Sequence, residues 1–269
     1  MIKKGFVGFF DILGYQAIID NNEISKASKI ISEVIVNLPT RTSDLLISLL
    51  KKKETQDLFD SAYKKIDAKL ISDSILLSLE VPESTSAKSI GLLTFSFLSY
   101  SSQLIRQAFD KGLPLRGAID YGEFFFSGNC FAGKPIINCY RIGSQMDVAG
   151  CVITEDCYQM IKTADSNAGS PERSNRLYFD CLIVNKDGRN ERCHVLNWYY
   201  PFKEWGEKHD NLRSYIIDSF HAHGKDFPPD VASKVNNTEI MLHRANEMNK
   251  PQKATPETTS KNSATSEAP

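Results

Sequence analysis

Apolar residues open the chain as an almost unbroken run, Phe6-Val7-Gly8-Phe9-Phe10, which Asp11 interrupts before Ile12-Leu13-Gly14-Tyr15. Its Phe and Val content predicts a central strand over residues 4 to 10. Gly14 then permits a tight turn into a helix running from about Tyr15 to Val36. Residues 40 to 65 read as helical, and residues 66 to 80 as two short strands joined by a tight turn at Ser72-Asp73. Between Ser86 and Lys111 apolar residues recur at Ile90, Leu93, Phe97, Tyr100, Leu104 and Ala108, a helical stripe that stops at Gly112 with Pro114 just beyond.

Leu113 to Phe126 reads as a strand pair or one bent strand. A helix follows from about Pro135 to Met146, then a strand at Cys151 to Thr154. Tyr178 to Val184 and Cys193 to Tyr199 flank the hairpin signal Asp187-Gly188. The order β-α-α-β-β-α-β-α-β, followed by a hairpin and C-terminal helices, predicts an α+β sandwich with helices on one face of a mostly antiparallel sheet. Residues 1 to 200 form the expected core domain and 201 to 249 a helical extension. Residues 250 to 269 contain no Val, Ile, Leu, Met or aromatic residue and are expected to be disordered.

With 269 residues and 41% of them hydrophobic, the chain can bury one sizeable core. A formal charge of -1 gives no bulk attraction to nucleic acid or to anionic lipid, so neither is an expected partner and any polyanionic ligand must be held locally. The most apolar long segment, Ile90 to Ile105, is punctuated by serines and is shorter than the roughly 20 residues of a membrane span. Six cysteines without a Cys-x-x-Cys pair, and no secretory signal, point to reduced thiols in a cytoplasmic protein.

Chemistry concentrates at Asp11 and Asp73, each breaking a strand-like apolar run where the chain turns. A carboxylate beside a buried strand is costly unless a positive charge meets it, so two in like settings suggest a shared cation; the alternative is a pair of capping or turn aspartates. The histidines of His221-Ala222-His223 would point apart on a helix and read as surface residues. Glu54, Asp57 and Asp60 read as a solvated acidic face opposite Lys51 and Lys64.

Element order and motifs together resemble class III nucleotide cyclases over roughly residues 4 to 200. The segments concerned are Phe9-Phe10-Asp11-Ile12-Leu13-Gly14-Tyr15, Lys69-Leu70-Ile71-Ser72-Asp73, Leu115-Arg116-Gly117-Ala118-Ile119-Asp120-Tyr121-Gly122 and Gly133-Lys134-Pro135-Ile136-Ile137-Asn138-Cys139-Tyr140-Arg141. The resemblance implies the ferredoxin-like sandwich of that family and two Mg²⁺ or Mn²⁺ ions per site, bound by Asp11, Asp73 and the Ile12 carbonyl. Backbone N–H groups of Leu13, Gly14 and Tyr15 would receive the terminal phosphates. Arg141 is implied as the cation on the reacting phosphate, and Arg116 either touches phosphate or braces the sheet. Lys186 and Arg189 of the late hairpin are the candidates for a further phosphate cation, the alternative being ordinary turn charges. The family's transition-state asparagine falls on Ile137, with Asn138 one step of about 100° away.

Arg116-Gly117-Ala118-Ile119, together with a Tyr140-Arg141 helix lacking that asparagine, is most similar to the pyrimidine cyclases of bacterial Pycsar antiphage systems. That branch implies conversion of UTP or CTP to cUMP or cCMP, a second messenger for an effector protein, by a homodimer with sites at its interface. Lys69, four residues before Asp73, matches a base-contacting lysine; as a donor-only group it favours uracil O4 and hence UTP, the alternative being a salt bridge to a nearby acid. Two other classes stay open: a non-catalytic nucleotide-binding homologue, and a palm-type nucleotidyltransferase, which would account for the aspartates but not for the two arginine segments.

Overall fold

A computed structural model describes residues 2–128, 130–167, 169, 174–199 and 211–248. The first strand, β1, spans Ile2–Ile12 and is buried without a break from Gly5 to Phe10. Such a strand has no solvent face, and it lies in the middle of an eight-stranded sheet. The hairpin β2 (Asp67–Ile71) and β3 (Ser74–Glu80) pairs with one side of it through β3, and β4 (Leu115–Ser127) pairs with the other. β5 (Cys130–Gly133) folds back on the end of β4. β6 (Gly150–Ile153) joins β4 in parallel, and β8 (Asn190–Leu196) and β7 (Tyr178–Val184) complete the order β2-β3-β1-β4-β6-β8-β7. All the other pairings are antiparallel, so the sheet is of the α+β kind predicted.

The helix expected from Tyr15 to Val36 is broken. α1 covers only Tyr15–Asp20, and α2 (Ile24–Ile30) runs on into a π-helical turn, Ile31–Val36. The break falls at Asn21-Asn22: the Asn22 side chain donates to the Ile18 carbonyl of the last turn of α1 and to the His223 carbonyl, and that of Asn21 donates to the Gly224 carbonyl. The 40 to 65 segment is likewise two helices, α3 (Leu38–Ser48) and α4 (Lys53–Tyr63). On α4, Lys53–Asp57 and Lys64–Asp60 pair in solvent, as a solvated face requires. α5 (Ala87–Asp110) matches its predicted stripe and is capped by Ser86, whose hydroxyl accepts from the Ser89 N–H.

The chain continues through α6 (Lys134–Gln145), then α7 (Glu155–Asn167), a helix the apolar pattern did not announce, and ends in α8 (Leu212–His221) and α9 (Pro229–Met248). The helices cover both faces of the sheet, not one. Phe6 of β1 stacks on Phe97 of α5, whereas Phe9 meets Tyr140 of α6, and residues three apart on a strand face opposite ways. Close approach of α6 depends on two glycines: a Cβ on Gly143 would sit 3.0 Å from the Gly117 Cα. Both C-terminal helices pack on the core. Phe109 of α5 contacts Tyr215 and Phe220 of α8, and Thr238 of α9 accepts from the Ala149 N–H. The expected tail, 250 to 269, lies outside the described residues.

All six cysteines are free. Burial pushes the thiols of Cys139, Cys151, Cys157 and Cys181 up, as for inert core residues, whereas Cys130 is exposed. Among the described residues no helix is long and apolar enough to cross a membrane.

Candidate active site

β1 and the β2–β3 turn end side by side. Asp11 is in register with Ser74, whose hydroxyl donates to Asp11 Oδ1 at 2.8 Å, and the Ile12 N–H donates to the Asp73 carbonyl at 2.9 Å. The turn takes a positive φ of 55° at Ser72, so Asp73 follows at its tip. These contacts bring the two aspartates to one cavity of about 570 Å³, lined also by Ile12, Leu13, Gly14, Tyr15, Arg116 and Lys186.

Arg116 is paired across β1–β4 with Asp11, and its guanidinium lies 3.5 Å from Asp11 Oδ2 while donating to the Met146 carbonyl at 3.2 Å. It therefore braces the sheet and faces the cavity at once. Its buried Nε has no hydrogen-bond partner among the described groups, which leaves one donor uncommitted. The Leu13 N–H is already engaged with the Pro114 carbonyl, so a backbone cradle narrows to Gly14 and Tyr15. Gly14 adopts φ 76°, and a Cβ there would meet the stem of Lys225 at 2.7 Å. α1, which it opens, has only six residues.

Of the two hairpin cations, Lys186 lines the cavity and Arg189 does not. Burial lowers the Lys186 ammonium below its ordinary range, and the charges of Arg116 and Lys234 lower it further. Arg189 is fully committed to Asp187 on an exposed turn. Arg141 is exposed on the outer face of α6, outside the cavity. Ile137 is exposed beside it by one helical turn, and Tyr140 adjoins it. Asn138 turns inward, donating to Asp120 Oδ2 at 3.0 Å; Thr154 Oγ1 and the Tyr121 N–H bind the other oxygen of that 2% exposed carboxylate. It is a structural partner of the sheet and does not stand in for the residue at 137.

Lys69 lies elsewhere along the sheet. It forms an ion pair with Asp67 at 3.5 Å, stands 5.6 Å from the Phe126 ring, and lines a separate cavity of about 450 Å³ with Leu70, Ile71 and Phe131. Register nonetheless sets its face. Lys69 opposes Leu76, Leu76 opposes Phe9, and Phe9 lies two residues from Asp11, so Lys69 and Asp11 share the sheet face that carries α6.

Five lining residues carry no signal in the motifs: Gln16, Asp147, Asp230, Ser233 and Lys234. The last three are on α9, where Asp230, Ser233, Lys234 and Asn237 form a polar stripe at helical spacing; that stripe was the one available sign. The histidines are not on one helix: His221 ends α8 and stacks on Phe227, while His223, at φ 65°, lies with its Nε2 2.7 Å from the Lys111 carbonyl.

Among the described residues no three His, Cys, Asp or Glu side chains gather as a ready-made metal cage. Asp11 and Asp73 nevertheless suit Mg²⁺ or Mn²⁺, which are commonly held by one or two carboxylates with substrate phosphates supplying further oxygens. A larger hollow of about 680 Å³, lined by Lys3, Asp67, Ser78 and Glu80, lies toward the other end of β1, and there Lys3 is neutralised by Glu80.

No family model matches the sequence, and no curated protein matches it. Solved structures do resemble it in backbone arrangement. The adenylyl cyclase CyaB from P. aeruginosa matches 73% of this chain and 94% of its own, at 15% identity and a TM-score of 0.43. The catalytic core of a rhodopsin-guanylyl cyclase with converted specificity, in complex with ATPαS, matches 73% and 96%, at 12% identity and 0.46. A class III adenylyl cyclase-like ATP-binding protein from Pseudomonas aeruginosa matches 62% and 40%, at 13% identity and 0.41.

Proposed function

We propose that this protein is a nucleotide cyclase that converts UTP to 3′,5′-cyclic UMP and pyrophosphate, a second messenger in antiphage defence that acts through an effector protein. The observation that carries the reading is the meeting of Asp11 and Asp73 at one cavity with Arg116 and Lys186 on its wall. Cyclisation joins the ribose 3′-oxygen to the α-phosphorus as pyrophosphate leaves. It therefore needs oxygen ligands for divalent cations and fixed positive charge for the phosphates, and this cavity presents both.

Asp11, Asp73 and the Ile12 carbonyl would hold Mg²⁺ or Mn²⁺, two per site. Bound there, the ions lower the pKa of the attacking hydroxyl and offset charge on the departing phosphates. Ser74 and Arg116 hold the Asp11 carboxylate in a fixed orientation. Lys186, poorly solvated and crowded by like charge, gains by meeting a phosphate oxygen. The N–H groups of Gly14 and Tyr15 are donors for the same polyphosphate.

Arg141 completes the site in a homodimer. It is exposed among the apolar Ile137 and Tyr140, which are 55% and 57% exposed, a surface suited to a second copy. A twofold pairing through α6 would carry Arg141 of each copy to the carboxylates of the other, where a planar, multi-donor cation suits the reacting phosphate. Lys69 is the proposed base-selecting group, its ammonium donating to uracil O4, with Phe126 and Phe131 as neighbouring aromatic surface. CTP, with an exocyclic amine at that position, is the alternative substrate. A non-catalytic homologue is the second reading, favoured by Ile137 at the asparagine position.

The test is kcat/KM for UTP, CTP, ATP and GTP with Mn²⁺, in wild type and Lys69→Met. The expected result is a UTP preference that collapses in the variant, because a site built to bond one base edge rejects the mismatched edge strongly. An unchanged preference in Lys69→Met removes Lys69 from base selection. A wild-type preference for another nucleotide overturns the cUMP assignment.

A further inference from the structure

α9 is fixed to the cavity with unusual completeness for a C-terminal extension. Asn237 Nδ2 donates to the Asp147 carbonyl at 2.9 Å and Ser233 Oγ to Asp147 Oδ2 at 2.6 Å, so two side chains one turn apart hold the helix to the segment that follows α6. Between them Lys234, 13% exposed, reaches into the cavity. Its Nζ donates to the Asp230 carbonyl at 2.8 Å and to Asp230 Oδ2 at 2.9 Å, and lies 3.5 Å from Asp147 Oδ1. We propose that Lys234 is a phosphate-binding residue, supplied by α9, that grips the terminal phosphates of the nucleotide together with Lys186, making the C-terminal extension part of the active site. The inference rests on the nucleotide reading above for the identity of its ligand, but its chemistry is that of any chelated polyphosphate.

Charge and exposure support it. Arg116, Lys186 and Lys234 share one cavity with the carboxylates of Asp11, Asp73, Asp147 and Asp230; once divalent cations occupied Asp11 and Asp73, the remaining positive charge would face a polyphosphate. The cation effect on Lys186 is the sign of crowding among the three cations. The two carboxylates on Lys234 are unequal: the Asp147 side chain is 14% exposed and pinned by α9, whereas that of Asp230 is 70% exposed and tethered only at the helix start. The Asp230 carboxylate is the displaceable partner, while the Asp230 carbonyl keeps the ammonium in place. The carboxylate competes with a ligand that arrives.

That competition yields two effects of opposite sign. Calorimetric titration of the full chain with inorganic tripolyphosphate and Mg²⁺ should show Lys234→Gln binding about 10-fold to 100-fold more weakly, the worth of one hydrogen bond to a charged group. Asp230→Asn should bind more tightly than wild type, and Arg244→Ala, on the same helix but paired with Glu247 in solvent, should match wild type. KM for UTP should follow the same order. Wild-type affinity in Lys234→Gln, weaker binding in Asp230→Asn, or no tripolyphosphate binding by wild type would each overturn the proposal. Should Lys234→Gln not fold, the sign of the Asp230→Asn effect decides alone. Lys234-dependent polyphosphate binding without any cyclic product would refute the cyclase reading and leave this one standing; normal cyclisation by Lys234→Gln would do the reverse.

Discussion

Asn138 and Ile137 are neighbours with opposite duties. Asn138 donates to a carboxylate that is 2% exposed, so replacing it by leucine strips Asp120 of a partner in a site closed to water. We expect Asn138→Leu to lower stability by about 1–3 kcal/mol, the cost of an unsatisfied buried acceptor, and Ile137→Asn to change it by less than about 0.5 kcal/mol, as for an exposed position. Urea unfolding of both variants checks this; equal losses would mean that the two side chains share one environment. The motif alone could name position 137 but not the direction in which 138 points, because that is settled by Asp120, a residue of another element. Asp11 and Asp73 were legible from local sequence for the converse reason: each announces itself by breaking an apolar run.

The segment that follows α8 works as a strap between elements far apart in sequence. Lys225 Nζ donates to the carbonyls of Gly112, at 2.7 Å, and Ser219, at 3.0 Å. Asn21 donates to Gly224 and to Asp226. Burial lowers the Lys225 pKa to about 7, with no carboxylate to oppose it. The folded state therefore releases this proton before the unfolded state does. Between about pH 7 and the ordinary lysine range the unfolded chain binds more protons, so this group makes stability rise with pH across that window, and its penalty is fully present below it. Replacement by methionine should remove that rise. The stability difference between wild type and Lys225→Met should thus shift in favour of wild type from pH 7 to pH 10; a pH-independent difference would show that the ammonium is not buried. The break at Asn21-Asn22 has the same origin, since their bonds to Gly224 and His223 reach more than 200 positions along the chain and leave no trace in local periodicity. α7 escaped notice for another reason: its buried face is Cys157, Ile161, Ala164 and Asp165, too small and too polar to register as a stripe.

On the scale of the molecule, the mostly antiparallel α+β sheet followed from the alternation of elements, but its strand order and the burial of both its faces did not. The unbroken apolar run of β1 is the sign of that burial, because a strand open to water on one side would alternate. The face that carries α6 presents Arg141, Ile137 and Tyr140 to solvent, and the proposed homodimer uses it. An equimolar mixture of Asp73→Asn and Arg141→Ala proteins, each inactive alone, should regain about a quarter of wild-type activity, because random exchange makes half the dimers mixed and each of those has one intact site of two. No recovery, with exchange confirmed, would place both residues in one protomer's site or remove one from it.

The central claim is that two aspartates at adjacent strand ends serve one metal-dependent cyclisation. Its most direct measurement is the product of UTP and Mn²⁺ incubated with wild type, Asp11→Asn and Asp73→Asn, with cyclic UMP and pyrophosphate quantified together. Wild type should form the two in equal amounts, and each variant should be slower by about 10²-fold to 10³-fold or more while keeping its fold, as expected for loss of a key electrostatic group. Undiminished turnover in either folded variant, or a wild type that makes neither product from any nucleoside triphosphate, would contradict it.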